Sequence, residues 1–240
     1  MMSPRLNEIW VYLAASPLIG LTATLLAYVF AFRIYERAKF SPLANPVMIS
    51  VAILVTVLTV TGTPYKTYFD GAQFVHFLLG PATVSLAVPL YRQWALVRRS
   101  ALAITVSLLC GSLTAILTAV GVASLAGGGS EVLASIAPKS VTAPVAMAIA
   151  EELGGVPSLT AVLVIVTGIL GAMLGPLVLT LVGVTGWSAR GLAIGTASHG
   201  IGTARALQVN ETAGAFSGLA MGLNALATAL LLPVLWGLLF

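Results

Sequence analysis

Two short segments of this chain combine polar side chains with residues that interrupt a helix. The first is residues 138–144, with the sequence PKSVTAP. Its two prolines remove backbone donors and disfavour helix before each ring, and only about a dozen apolar residues follow, too few to cross a bilayer. We predict a half-helix whose N-terminus, beside Lys139, Ser140 and Thr142, binds a carboxylate. Alternatively, Lys139 is an interface anchor and the two hydroxyls are helix caps.

The second segment is residues 197–205, with the sequence ASHGIGTAR. On a helix its small residues continue a stripe that is typical of close helix packing, formed by Gly191, Gly195, Ser198 and Gly202. Packing does not account for His199 and Arg205, because ionisable groups in or near a span are costly and usually face a cavity. His199 could carry a coupling proton. Arg205 could hold a carboxylate bidentately, or simply mark the cytoplasmic end of the helix.

The predicted substrate site draws on both segments and on a similar Pro-rich stretch in the first half of the chain. Its residues are Lys139, Ser140, Thr142, Asn45, Ser198, His199, Thr203 and Arg205. Three further side chains are candidates for ion or proton coupling besides His199: Glu151, Glu152 and His76. The two glutamates could equally face solvent at a helix end, and His76 could be a packed polar residue.

The same residues give no support for catalysis. Ser198 and His199 are adjacent, so on a helix they point about 100° apart and cannot form a nucleophile–base pair. The sequence has no metal-ligand spacing and no phosphate-binding glycine loop. We therefore predict that the protein is not an enzyme and uses no metal or cofactor.

The composition indicates that these segments belong to a membrane protein. Of 240 residues, 59% are hydrophobic and 8% are charged, whereas a soluble domain has roughly 25% charged residues. We predict an all-α polytopic membrane protein forming a single integral membrane domain. Because about 20 residues cross a ~30 Å core, the apolar runs indicate about eight segments, some short or interrupted: Ile9–Phe32, Pro46–Thr61, Gly71–Tyr91, Ala101–Leu125, Pro138–Leu153, Ser158–Val184, Ala189–Ala206 and Ala213–Leu239.

The basic residues set the expected orientation. Six of the eleven Lys and Arg residues lie in two loops, 33–45 and 92–100. Two predicted spans separate these loops, which places both on one side, and a Lys/Arg excess marks cytoplasmic loops. We expect a multi-pass protein of the bacterial inner (plasma) membrane with both loops in the cytoplasm. The net charge of +4 is explained by these loops and does not indicate nucleic-acid binding.

Three short patterns occur twice in the same order, which predicts an internal duplication. NPV at 45–47 recurs as APV at 143–145, GTP at 62–64 as GVP at 155–157, and LGP at 79–81 as LGP at 174–176. Each copy holds three predicted spans, an odd number, so the copies must have opposite orientations. We predict repeats at about 9–100 and 101–187, with extra helices at 188–240. Inverted repeats are the architecture of many secondary transporters, whose substrate site lies at the repeat interface.

At these same motifs the sequence resembles the LrgB/CidB family. The resemblance rests on APKSVT at 137–142, ELGGVPSLTA at 152–161, ASHGIGTAR at 197–205, SGLAM at 217–221, LGP at 79–81 and VPLY at 88–91. It implies a holin/antiholin-like protein that modulates murein hydrolase export and lysis with a small LrgA/CidA membrane partner. It also implies organic-acid transport, since the similar chloroplast protein carries glycolate and glycerate, and related bacterial pairs are connected with pyruvate uptake.

Two functional hypotheses remain open. The residues favour a secondary carrier of small monocarboxylates of the glycolate, glycerate, lactate or pyruvate type, with proton coupling as an option. The alternative is a holin/antiholin-like regulator of murein hydrolase export and lysis that acts with an LrgA/CidA-type partner. The expected partners are a small organic anion, that membrane protein, the lipid bilayer and further copies of the chain, but not nucleic acid.

Overall fold

The computed structural model describes residues 17–78, 81, 84–85 and 87–239, and within them all regular structure is helical. The α-helices are α1 (Pro17–Arg37), α2 (Pro46–Thr61), α3 (Tyr65–Phe77), α4 (Ala87–Arg92), α5 (Trp94–Arg99), α6 (Ala101–Leu125), α7 (Ser130–Ile136), α8 (Ala143–Glu152), α9 (Pro157–Leu181), α10 (Trp187–Val209) and α11 (Glu211–Leu239), and a 3-10 turn covers Pro42–Ala44. The all-α prediction is confirmed.

The distribution of polar and apolar side chains is that of a membrane protein. Four described helices, α1, α6, α9 and α11, are long and apolar enough to cross a bilayer. Their outer faces are apolar, as at Leu102, Leu125 and Leu181, which are 80%, 91% and 76% exposed. Some hydroxyl groups are buried between the helices, and Ser112 of α6 shares a 3.2 Å hydrogen bond with Thr228 of α11. The chain is therefore a multi-pass membrane protein.

Several predicted spans differ from the observed helices. Helix α1 continues five residues beyond Phe32 to Arg37, so the basic loop begins later than predicted, and residues 9–16 lie outside the described part. The predicted span Gly71–Tyr91 is not one described helix, because α3 ends at Phe77. The basic segment 92–100 contains the short helix α5, and α7 was not predicted. The bounds of α2 and α6 agree with the prediction.

The chain forms two compact units, residues 1–85 and 86–240. In the first, α1 packs against α2 and α3. A Cβ atom at Gly20 would collide with the carbonyl oxygen of Tyr68, so α1 and α3 approach closely there. Thr24 Oγ1 donates to the Gly20 carbonyl at 2.7 Å and lies 2.7 Å from Tyr68 Oη. This hydrogen bond fixes the register of the two helices.

In the second unit, α10 and α11 share the most extensive helix–helix interface. Helix α6 packs on both of them, α9 packs on α10, and the short helices α7 and α8 pack on α9. The α10–α11 contact depends on glycine, because a Cβ at Gly191 or Gly195 would collide with the backbone of Ala213 or Ser217. Small residues let backbones approach in membranes, where lipid provides no hydrophobic drive for helix association.

The predicted repeats have the same order of local elements, each viewed by itself. Helices α2 and α8 both carry a proline in the first turn, and a left-handed glycine follows each, Gly62 with φ 66° and Gly154 with φ 81°. A proline and a further helix come next in both copies. The residues of the first LGP motif lie partly outside the described chain. The repeat boundaries and their opposite orientation stay predictions.

The α10–α11 interface gives a stability prediction. Gly195→Ala places a methyl group against the Ser217 backbone, and such overpacking should cost about 1–3 kcal/mol, seen as a lower thermal unfolding midpoint in detergent. Gly222→Ala is the matched control in α11, because a Cβ there meets nothing within 4 Å. Its midpoint should not fall, since alanine is the better helix former. Equal midpoints for the two variants would contradict the close approach.

Candidate functional site

The first feature of the site is the chain break before α8. Residues 137–142 form turns in which Pro138 is buried and Lys139 is half-buried. Helix α8 has ten residues, about 15 Å of helix, so it cannot cross a ~30 Å core. Thr142 occupies the N-cap position, but its side chain makes no capping hydrogen bond. The Thr142 hydroxyl therefore does not cap this half-helix, unlike in the alternative interpretation of the sequence.

The second feature is a break inside α10. His199 has φ 40° and ψ −137°, which divides the helix into two parts. A positive φ is rare for a residue with a side chain and costs about 1–3 kcal/mol. Thr203 Oγ1 donates to the His199 carbonyl at 2.8 Å and lies 2.9 Å from Ser217 Oγ. The sequence predicts a continuous helical stripe here, whereas the structure interrupts it with no proline present.

Two glycines of α9 provide the space for this break. The His199 ring lies over Gly168, where a Cβ would be 2.6 Å from Cε1 and 2.7 Å from Nε2, and Ser198 fills the position of a side chain at Gly171. His199 Nε2 is 2.9 Å from the Val164 carbonyl oxygen. Because a carbonyl oxygen only accepts, Nε2 carries the proton of this bond. Nδ1 is then left to accept or to take a second proton.

Asn224 of α11 joins the two breaks. Its Nδ2 donates to the Thr196 carbonyl at 3.0 Å, in the turn of α10 before His199, and to the Ser140 carbonyl at 3.4 Å, in the break before α8. Asn224 is 1% exposed. Asn224 was not among the site residues predicted from the sequence. Its position offered a signal, because it is an amide in the middle of an otherwise apolar helix, and polar groups within membrane helices mark functional positions.

The two polar segments thus lie together in one unit. Val141, two residues from Lys139, packs against Val164, whose carbonyl bonds His199. Lys139 and His199 are close enough to interact electrostatically. Ser198, His199 and Thr203 are all at most 5% exposed. The arrangement places a cation, two hydroxyls and an imidazole around two interrupted helices.

Two buried oxygen atoms at this junction have no hydrogen-bond partner among the described residues. They are Ser140 Oγ and Asn224 Oδ1. Leaving a buried polar group unsatisfied costs about 1–3 kcal/mol, and native proteins contain few of them. Because the Asn224 amide donates to the Ser140 carbonyl, the two unsatisfied oxygens belong to residues that are in direct contact.

Other predicted site residues have more ordinary surroundings. Asn45 lies in the first unit, where its Oδ1 caps α2 by accepting from Val47 N at 2.9 Å and Met48 N at 3.2 Å. Arg205 is half-buried near the end of α10. Glu151 and Glu152 are exposed at the end of α8. The side chain of His76 lies outside the described part of the structure.

A groove beside α10 reaches this region. It has a volume of about 370 Å³ and is lined by Ser107, Gly111, Ala115, Leu179, Val184, Ala189, Leu192, Ala193, Thr196 and Ala197. Thr196 also provides the carbonyl that Asn224 binds, so the groove extends to the turn that precedes the His199 break. Among the described residues, no three His, Cys, Asp or Glu side chains cluster as metal ligands do.

Comparison with known proteins gives a consistent family. The family model described as LrgB-like family matches residues 24–238. The Bacillus subtilis protein YxaC is 36% identical over 93% of this chain and 97% of its own length. The holin-like protein CidB is 34% identical in Staphylococcus epidermidis, over 93% of this chain and 96% of that protein, and 32% identical in Staphylococcus aureus, over 91% and 95%. No solved structure matches. On this breadth of similarity, the chain belongs to the LrgB-like family.

Proposed function

We propose that this protein is a secondary carrier of small monocarboxylates in the bacterial inner membrane. The observation that carries the proposal is the Asn224 amide, which bonds one carbonyl at each of two interrupted helices. Interrupted helices at a protein-lined centre are how transporters expose backbone groups to a substrate inside a membrane. A protein that only crossed or packed in the bilayer would satisfy its backbone with continuous helices.

The charge of the site favours an anion. Lys139 lies beside the N-terminal turn of α8, where the helix dipole is positive, while the acidic pair Glu151 and Glu152 is exposed at the opposite end of that helix. A carboxylate would therefore meet positive potential from the side chain and from the backbone. Ser140 and Thr142 provide hydroxyl donors next to it. The close packing around Val141 and Val164 favours a small substrate, of the size of glycolate, glycerate, lactate or pyruvate.

His199 is the candidate for proton coupling. Its Nε2 is committed to the Val164 carbonyl, which leaves Nδ1 as the atom that gains or loses a proton. An imidazole nitrogen can both accept and release a proton, which is the chemistry that proton coupling requires. Because the backbone break is at the same residue, a change in the charge of His199 would occur where the two parts of α10 meet.

A second candidate is a holin-like function, with an LrgA/CidA-type membrane protein as partner. Two of the relatives reported above are named holin-like protein CidB, and these names favour this candidate over monocarboxylate transport. The exposed apolar faces of α6, α9 and α11 suit lateral contact with lipid or with another membrane protein equally well. The two candidates differ in whether the interior of the second unit has a substrate.

Removing the charge of Lys139 tests the carrier. In proteoliposomes loaded with unlabelled lactate, the wild-type protein should exchange it for labelled lactate. Lys139→Gln should reduce this flux at least about tenfold, the effect of losing one charged hydrogen bond of about 1.4 kcal/mol or more, and Lys139→Arg should retain part of it. Arg99→Gln, which removes a charge from an exposed position, is the control and should match wild type. Wild-type flux no greater than in empty vesicles, with lactate, glycolate, glycerate and pyruvate each tried, would refute the carrier.

Replacing His199 with glycine tests the role of the imidazole ring independently of the backbone break. Glycine adopts φ 40° without strain, so His199→Gly should remain folded and elute as a single species in detergent. It loses the bond to Val164 and the titratable group, and proton-driven uptake should fall to background. Counterflow exchange without a proton gradient should persist at a reduced rate. Full proton-driven uptake by this variant would show that His199 is not the coupling group.

Cells distinguish the two candidate functions. If the protein is a carrier, deletion and Lys139→Gln should have the same effects on organic-acid uptake, and any change in lysis should disappear when the organic acid is withheld. If the protein is a holin-like regulator, deletion should change lysis with uptake unaltered, and Lys139→Gln should behave as wild type. Lysis and uptake measured in the same cultures, with expression matched by immunoblot, decide between these outcomes.

A further inference from the structure

The groove beside α10 is lined by two sets of small residues at four-residue spacing. They are Ser107, Gly111 and Ala115 on α6, and Ala189, Ala193 and Ala197 on α10. This spacing places each set on one face of its helix, over about 12 Å of helix axis. All three alanines of α10 are exposed, and in a membrane-spanning chain the surroundings of such a face are acyl chains. The groove is therefore an elongated, mainly apolar channel that opens towards lipid.

Arg190 lies at the end of the groove that Val184 and Ala189 form. Its Nη1 donates to the Val184 carbonyl at 2.8 Å, and its Nη2 donates to the Pro176 carbonyl at 2.9 Å and to Thr180 Oγ1 at 3.2 Å. A guanidinium has five N–H groups, so two remain available to a ligand. Arg190 forms no ion pair with a carboxylate of the described residues. Its three acceptors are neutral, which leaves the positive charge uncompensated.

Two observations place Arg190 at the level of the lipid headgroups. Trp187 is 44% exposed, and its ring centroid lies 5.6 Å from Arg190 Cζ; tryptophan is enriched where membrane meets water. Leu192, near the start of α10, packs in the same cluster as Ile104, near the start of α6. Both helices therefore begin at the same end of the second unit, where the basic segment 92–100 directly precedes α6. This end of the groove has a positive potential.

We propose that an anionic phospholipid binds here, with one acyl chain in the groove beside α10 and its phosphate at Arg190. An apolar channel that ends at an uncompensated guanidinium matches a molecule with an apolar tail and a negative head. A zwitterionic lipid matches it less well, because its ammonium group offsets the charge of the phosphate. A helix of a second copy would fill the groove but would leave Arg190 without a counter-charge.

The bound chain would contact the part of α10 that precedes the break at His199. Thr196 lines the groove, and its carbonyl oxygen accepts the 3.0 Å hydrogen bond from Asn224. A lipid in the groove therefore packs on the outer side of the same turn that Asn224 holds from the inner side. Binding should stabilise the folded protein whichever of the two candidate functions the interior serves, because any ligand of the folded state alone does so.

Lipid-dependent thermal stability in detergent tests the site. The purified chain is titrated with dioleoylphosphatidylglycerol or dioleoylphosphatidylcholine, which have identical acyl chains, and the rise of the unfolding midpoint gives the apparent affinity. Wild type should bind phosphatidylglycerol about tenfold more tightly, the effect of one charge-assisted contact. Arg190→Gln should reduce this preference to about one. Ala193→Leu fills the groove and should weaken phosphatidylglycerol binding at least threefold.

Two control variants match these changes. Lys66→Gln removes one exposed positive charge from the first unit, and Ala103→Leu enlarges an exposed residue of α6 that does not line the groove. Both should bind the two lipids as wild type does. Arg190→Gln also loses its bonds to α9 and to Val184, so its midpoint without lipid should fall. Ala193→Leu keeps those bonds and therefore tests the groove even if Arg190→Gln does not fold.

A phosphatidylglycerol with a photoreactive group on its acyl chain locates the lipid directly, and its crosslinks should map to α6 and α10. Equal affinity of wild type for the two lipids would overturn the proposal and leave Arg190 as a cap for the end of α9. A preference that persists in Arg190→Gln, or crosslinks confined to other helices, would also overturn it. If Ala193→Leu instead changes the oligomeric state at unaltered lipid affinity, the groove is a contact between copies of the chain.

Discussion

The second unit depends on how backbone polar groups are satisfied where no water is available. In the hydrocarbon core an unpaired carbonyl or amide costs several kcal/mol, which is why continuous helices dominate membrane proteins. This chain interrupts two helices and then supplies a partner from a third, since the Asn224 amide donates to Thr196 and Ser140. The same amide therefore stabilises the breaks and holds them side by side. If Asn224 were apolar, two carbonyls would lose a partner together.

Glycine makes this arrangement sterically possible. The ring of His199 and the side chain of Ser198 occupy the volume that side chains at Gly168 and Gly171 of α9 would fill, and α11 approaches α10 at Gly195. The polar centre is thus surrounded by backbone at short range. Backbone dipoles and hydrogen bonds act strongly at such distances, because the local dielectric constant is low. The stripe of small residues in the sequence lets these helices pack closely enough to form the polar site. Close packing and a polar site are therefore not alternatives here.

The sequence predicts some of this well for physical reasons. The lengths of the apolar runs predicted the bounds of α2 and α6 correctly. The prolines at 138 and 144 predicted a half-helix, because proline removes a backbone donor and restricts φ. The break at His199 was not predictable, because no proline marks it and its φ of 40° is imposed by tertiary contacts with Gly168 and Val164. The position of Asn224 in an apolar helix could have singled it out, but its bridging role could not be predicted, because it depends on two carbonyls, 28 and 84 residues away in the sequence, which only the fold brings together.

The cost of this centre bears on what the protein does. The positive φ of His199 costs about 1–3 kcal/mol, a substantial share of the whole stability of a typical domain, about 5–15 kcal/mol. Lateral assembly into a pore requires exposed apolar faces, which α6 and α9 provide without any interior break. Assembly does not require this interior, whereas on the carrier function proposed above a bound substrate would offset part of its cost. The exposed apolar faces are compatible with either proposed function, and the interrupted interior is the feature that the carrier proposal addresses.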